Sequence, residues 1–225
     1  MHNNFKTANE AFHDLYWRIV RDGVDFAGTK ALFNAGFYIE NPALNDIKDS
    51  KVKRNWSVDY AEAEWQWYLS GDRNIAKLGE LYGKVPAIWK RMADVNGNVN
   101  SNYGWQWKRN QQLDNVIKLL KTLPETRQAA ISIYDAKEYD KYAYDTPCTY
   151  AVQFTILHDR LDMSVLMRSN DLWYGFCNDQ YQFSNLQMYV AQKLDIPVGI
   201  YYHYAHNLHL YNDKLPEDTT RNFHK

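Results

Sequence analysis

Apolar residues recur along this chain with two different periods, and the change between them divides it. Between Asp59 and Leu69, Trp65, Tyr68 and Leu69 fall at helical spacing, and Ser70-Gly71-Asp72 stops the run. Asn74 to Tyr82 predicts a second, shorter helix that closes at Gly83. Gln111 to Leu123 places Leu113, Val116, Ile117 and Leu120 on one face, with Pro124 as its terminator. In the second half the period drops to two. Tyr150, Val152, Phe154 and Ile156 alternate with Ala151, Gln153, Thr155 and Leu157, and the bend His158-Asp159-Arg160 leads into Leu161, Met163, Val165 and Met167. That pattern predicts an antiparallel hairpin. After Gly175, Asn178 or Asp179 is expected to cap a helix carrying Phe183, Leu186, Val190 and Leu194 at spacings of three and four. Pro197 and Gly199 then open an extended run to Asn207. Helices interleaved with hairpin-linked strands predict an α+β fold on a largely antiparallel or mixed sheet flanked by helices. No repeat, low-complexity tract or long linker interrupts the chain, so residues 1–225 read as a single domain.

Composition narrows what such a domain does. With 225 residues and 45% hydrophobic content, one sizeable core is expected. A formal net charge of -1 argues against nucleic acid as a substrate, because that affinity rests on a surplus of Lys and Arg. No apolar run approaches the roughly 20 residues of a membrane span, and no signal-like segment opens the chain, so a cytoplasmic protein is expected. Cys148 and Cys177 read as reduced thiols rather than a disulfide. The 8 Trp and 18 Tyr are mostly core, with some rings available to line a pocket for a flat ligand.

Chemistry concentrates around the hairpin. Thr146-Pro147-Cys148-Thr149 lies at its mouth and Met167-Arg168-Ser169-Asn170-Asp171 at its far end, which puts a nucleophile beside an anion site. Cys148 is the candidate thiolate, the plain alternative being a buried inert cysteine, and Cys177 is taken as packing. Arg168 and Ser169 pair a guanidinium fork with a hydroxyl for phosphate. Glu64 sits in a tryptophan-rich helix, where a carboxylate is costly unless it has partners or a task. His203, His206 and His209 lie three apart, but an extended strand turns successive members to opposite faces, so no metal is expected.

The order of these pieces carries a resemblance. Glu64-x-x-Trp67-x-x-x-Gly71-Asp72-x-Asn74-Ile75, Ile88-Trp89, Asn102-Tyr103-Gly104-x-Gln106-Trp107, Thr126-Arg127, Pro147-Cys148, Arg168-Ser169-x-Asp171, Gly175 and His209-Leu210-Tyr211 follow one another in sequence. This collinear set closely resembles the thymidylate synthase superfamily and, among its branches, looks most like the phage deoxycytidylate hydroxymethylases. The resemblance implies that fold, a homodimer through the sheet face, a phage-infected bacterial host, and a pyrimidine nucleoside monophosphate with 5,10-methylenetetrahydrofolate as co-substrate. It implies Cys148 as the nucleophile at C6, Glu64 in ordering water and moving protons, and Tyr103 in helping the C5 proton leave. It further implies Arg168 and Ser169 at the phosphate, Arg127 lent across the dimer, His209 and Tyr211 at the sugar hydroxyl, and Trp89 and Asp171 at the folate. The second arginine of the family's cross-dimer pair is replaced here by Gln128, for which Lys30 in the Gly28-Thr29-Lys30 loop is a candidate substitute.

Asp179 stands where thymidylate synthases carry an asparagine, although Asn178 is its neighbour. A carboxyl group suits the amino group and unprotonated N3 of cytosine, whereas an amide suits uracil. The implied activity is therefore hydroxymethylation of dCMP. The alternatives are a thymidylate synthase or a dUMP hydroxymethylase acting on dUMP, and an inactive nucleotide- or RNA-binding relative. Only 14 residues follow Tyr211, and a short closing segment is expected to admit water rather than favour hydride transfer.

Overall fold

The structure, a computed structural model, describes residues 3–142 and 145–216. Asn4–Phe5 (β1) leads into helix α1, Ala8–Asp22, whose first turn is capped by Thr7 accepting from the amide of Glu10. Phe12, Leu15, Tyr16 and Ile19 form its buried face. Val24–Phe26 (β2) then turns through Gly28, at φ 77°, into the long strand β3, Thr29–Ile39. Lys30 is thus a strand residue rather than part of a loop, and its Nζ donates to the Val20 carbonyl at 2.8 Å. Two short strands, Lys48–Asp49 (β4) and Arg54–Asn55 (β5), pair in a small ribbon.

Four helices follow: α2 at Val58–Ser70, α3 at Ile75–Tyr82, α4 at Ala87–Met92 and α5 at Tyr103–Lys108. Gly71 and Gly83 end α2 and α3 in the left-handed region, as the sequence predicts. Trp65 and Tyr68 of α2 are buried, but Leu69 is exposed, because Ala61, Glu64 and Trp67 complete the inward stripe instead. Helix α6, Gln112–Thr122, buries Leu113, Val116 and Leu120.

The second half builds the sheet. Ala130–Ser132 (β6), Thr149–Leu157 (β7) and Arg160–Met167 (β8) form an antiparallel set, with His158 and Asp159 both left-handed in a two-residue turn. Leu161, Met163, Val165 and Met167 are all buried, as the alternation requires. After Asn170–Asp171 (β9) comes α7, Cys177–Leu194, and then β10, Val198–Tyr211. The sheet runs β1-β3-β10-β8-β7-β6, with β2 beside β3 and β9 beside β10. β10 lies antiparallel to β3 but parallel to β8 and β9, so the sheet is mixed and the fold is α+β.

Two further expectations are corrected by the ends of α7 and β10. Neither Asn178 nor Asp179 caps α7, because a π turn over Leu172–Phe176 extends the helix backwards. Asp171 caps it instead, accepting from the amides of Trp173 at 2.8 Å and Tyr174 at 3.2 Å. Leu172 and Phe176 are fully buried, and their burial favours the earlier start. The extended run also continues past Asn207 to Tyr211, held by pairing to β3. No helix among the described residues is long and apolar enough to cross a membrane. Of the segment after Tyr211, residues 217–225 lie outside the described residues.

Candidate active site

The loop before β7 is held from beneath. Asp145 is buried and accepts from the amides of Asn100 at 2.5 Å and Ser101 at 2.7 Å and from the Ser101 hydroxyl. This anchor fixes the approach to Pro147 and Cys148. Arg168 closes the loop from the far end of the hairpin: Nε donates to the Pro147 carbonyl at 3.0 Å and Nη2 to the Thr146 carbonyl at 2.7 Å. Nη2 also lies 3.7 Å from Cys148 Sγ.

Thiol and guanidinium are therefore adjacent, as the sequence implies, but the electrostatic outcome differs. Burial pushes the Cys148 thiol up to about 11, outweighing the Arg168 guanidinium, which pulls the other way. The carboxyls of Asp179, Asp145 and Asp171 raise it further. In this state the sulfur is a thiol. Tyr103 is buried beside it, with its hydroxyl accepting from the Thr149 amide at 3.3 Å.

Glu64 faces inward from α2 and both of its oxygens are engaged. Tyr60, one turn earlier, donates to Oε1 at 2.7 Å, and Gln182 of α7 donates to Oε2 at 3.0 Å. The Tyr60 hydroxyl in turn accepts from Trp89 Nε1 at 2.8 Å, which ties α4 to the same cluster. Burial raises Glu64 to about 7 despite these two donors.

Asp179 lies one turn nearer the start of α7. Burial raises it to about 8, with the charge of Glu64 adding to the shift and the Asn170 amide, 2.7 Å from Oδ2, opposing it. Asn178 points elsewhere, accepting from Trp56 Nε1 at 2.8 Å and donating to the Tyr174 carbonyl at 3.0 Å. Asp171, already spent on the cap, is raised by burial to about 6.

Cys148, Arg168, Tyr103, Glu64, Asp179 and Asp171 thus belong to one electrostatically linked cluster, and Trp89 joins it through Tyr60. Ser169 follows Arg168 directly and is half-buried. His209 stands opposite Asp171 in the β10–β9 register, with Nδ1 against Asn207 Oδ1 at 2.8 Å, and packs edge-on against Tyr211 at 5.4 Å. Arg127 is not in the cluster: it is exposed on the turn between α6 and β6. His203 and His209 are buried and His206 is exposed, and no group of His, Cys, Asp and Glu among the described residues is arranged to hold a metal.

Sequence reasoning missed Tyr60, Gln182, Asn170 and Asp145. Tyr60 was within reach, since it precedes Glu64 by four residues on a helix and therefore shares its face. Gln182 and Asp145 act across 118 and 44 positions respectively, and no local pattern marks them.

A thiol, a guanidinium and several carboxyls whose protons are held near neutrality suit reversible addition to a conjugated ring. The family model for thymidylate synthase matches residues 14–222. The chain belongs to the thymidylate synthase family. Its fold is similar to the crystal structure of thymidylate synthase from T4 phage, with a TM-score of 0.76 and 22% identity over 95% of this chain and 80% of that one. It is similar also to a thermostable thymidylate synthase A from Bacillus subtilis, with a TM-score of 0.76 and 21% identity over 91% of this chain and 80% of that one. Within the thymidylate synthase family this architecture serves folate-dependent one-carbon transfer, and the cluster around Cys148 is the candidate place for it.

Proposed function

We propose that this protein transfers a hydroxymethyl group from 5,10-methylenetetrahydrofolate to C5 of dCMP, through a transient bond between Cys148 and C6. The observation that carries the reading is Asp179, a carboxyl raised to about 8 in the cluster that holds the thiol. At neutral pH it keeps its proton, so one oxygen donates to N3 of cytosine while the other accepts from the exocyclic amino group. Uracil presents the opposite pattern and meets a mismatch as long as the proton stays on that oxygen.

Arg168 and Ser169 hold the phosphate, and His209 and Tyr211 the sugar. Cys148 gives up its thiol proton to solvent and adds to C6 as Asp179 shares its proton with N3, which leaves C5 electron-rich. The folate, stacked near Trp89 and Asp171, supplies the carbon unit. Tyr103 assists loss of the C5 proton as tetrahydrofolate leaves, and Glu64, kept ionisable by Tyr60 and Gln182, activates the water that adds to the resulting exocyclic methylene and completes the hydroxymethyl group. Expulsion of the thiolate then returns the enzyme. A homodimer through the sheet face brings Arg127 to the partner's phosphate site; exposed Tyr38 of β3, packed on Tyr202 of β10 at 4.7 Å, supports that face as the contact.

The test is product mass after incubation with dCMP, dUMP and 5,10-methylenetetrahydrofolate. A hydroxymethyl product from dCMP is expected; a methyl product from dUMP, lighter by one oxygen, would assign thymidylate synthase activity instead. Cys148→Ala should release no C5 tritium from either nucleotide, and Asp179→Asn should move preference toward dUMP. An unchanged preference overturns the base reading.

A further inference from the structure

Asn170 is a buried polar residue that neither the sequence motifs nor the one-carbon chemistry accounts for. It sits in β9, paired with Leu208 of β10, and the residue is 2% exposed. Its Nδ2 donates to Asp179 Oδ2 at 2.7 Å, while its own Oδ1 is buried with no hydrogen-bond partner. An orphaned buried carbonyl costs ~1–3 kcal/mol. Rotating the amide would bring that oxygen against Asp179 Oδ2, which is tolerable only if Oδ2 carries a proton.

We propose that Asn170 is the positioning residue that holds Asp179 with its proton on Oδ1, and that this orientation is what makes the carboxyl a reader of cytosine. The inference rests on the assignment of Asp179 to the base. While Asn170 donates to Oδ2, that oxygen has spare capacity only to accept, so the O–H is left at the other oxygen for the ring nitrogen. One side chain thereby converts a symmetric acid into a group with a defined donor end and a defined acceptor end.

Gly175 guards the same pair. A Cβ there would lie 3.0 Å from Asn170 Nδ2 and 3.3 Å from Asp179 Oδ2, so any side chain at 175 presses on the bond. The groups that face Asp179 come from every neighbouring element. Glu64, Tyr60 and Tyr68 reach it from α2, Tyr103 from α5, Asp171 from β9 and Tyr201 from β10, with Cys148 beside them. The charges of Glu64 and Asp171 both favour the protonated acid; the Asn170 donor opposes them. Loss of that donor therefore lets Asp179 keep its proton to higher pH.

The experiment measures dissociation constants for dCMP and dUMP across pH 6 to 10 in the wild type, Asn170→Ala and Gly175→Ala. In the wild type, dCMP affinity should fall above about pH 8 as Asp179 ionises. In Asn170→Ala the fall should move to higher pH while dCMP affinity at pH 7 drops about tenfold and dUMP affinity changes less than about threefold, the lost bond being worth ~1.4 kcal/mol. Gly175→Ala keeps the amide but displaces it, and should lose dCMP selectivity in the same direction. Equal losses for both nucleotides with an unmoved pH dependence would make Asn170 a packing residue only and overturn the inference. Failure of the underlying assignment looks different: Asp179→Asn leaving the dCMP:dUMP ratio unchanged sinks the base reading, and this inference with it, whatever the Asn170 variants do.

Discussion

Replacing Glu64 by glutamine should make the protein more stable and inactive at once. The side chain is buried, and its carboxyl is raised from the ordinary 4.5 to about 7 chiefly by desolvation. A carboxyl with a raised folded-state pKa favours the folded protein fully only at acid pH, below the unfolded value. That contribution is lost as pH climbs through about 7. At 1.36 kcal/mol per tenfold, the gap corresponds to ~3 kcal/mol of burdened stability at pH 8. The substituted glutamine keeps an oxygen for the Tyr60 hydroxyl, but its new amide meets the Gln182 amide. Gln182 can turn its unpaired Oε1 to accept, at the loss of its 2.9 Å bond to the Ala61 carbonyl, ~1 kcal/mol. The net expectation is therefore ~2 kcal/mol more stability at pH 8, shrinking to nothing or a slight deficit near pH 4.5. Removing the Glu64 charge also relieves Asp179, which adds in the same direction. Urea denaturation of both proteins at four pH values between 5 and 8 measures this directly. A stability difference that stays flat across that range would refute the claim that Glu64 is held as a strained, titrating carboxyl.

Two other outcomes follow from the same cluster. Asp145→Ala strips the acceptor from two backbone amides and a hydroxyl beneath the Pro147-Cys148 loop, and should cost ~3 kcal/mol with a fall in kcat; an unchanged urea midpoint contradicts that anchoring role. In the free protein, alkylation of Cys148 by iodoacetamide should still be accelerating above pH 9, since burial holds the thiol at about 11, and a rate that levels off by pH 8 would show that Arg168 prevails over burial.

Much of this site was legible along the chain, and the parts that were not share a cause. The hairpin from Tyr150 to Met167 showed itself through its two-residue period, because one face of each strand must be apolar against the core. Cys148 and Arg168, at its two ends, are brought together by local pairing alone, with the Arg168 amide donating to the Cys148 carbonyl at 2.8 Å. The start of α7 was misplaced because Leu172 and Phe176 are helical only by virtue of the core they fill; their spacing from Asp171 announces no cap.

By itself the chain determined its α+β class, the hairpin that delivers thiol and guanidinium, and the collinear residues of the thymidylate synthase family. Only the tertiary structure decided the protonation of that chemistry. Whether Cys148 is a thiol, whether Asp179 keeps its proton and whether Glu64 is clamped depend on desolvation and on donors such as Gln182 and Asn170. Those donors arrive from separate elements, because an electrostatic environment is set by distance through space and not by position along the chain.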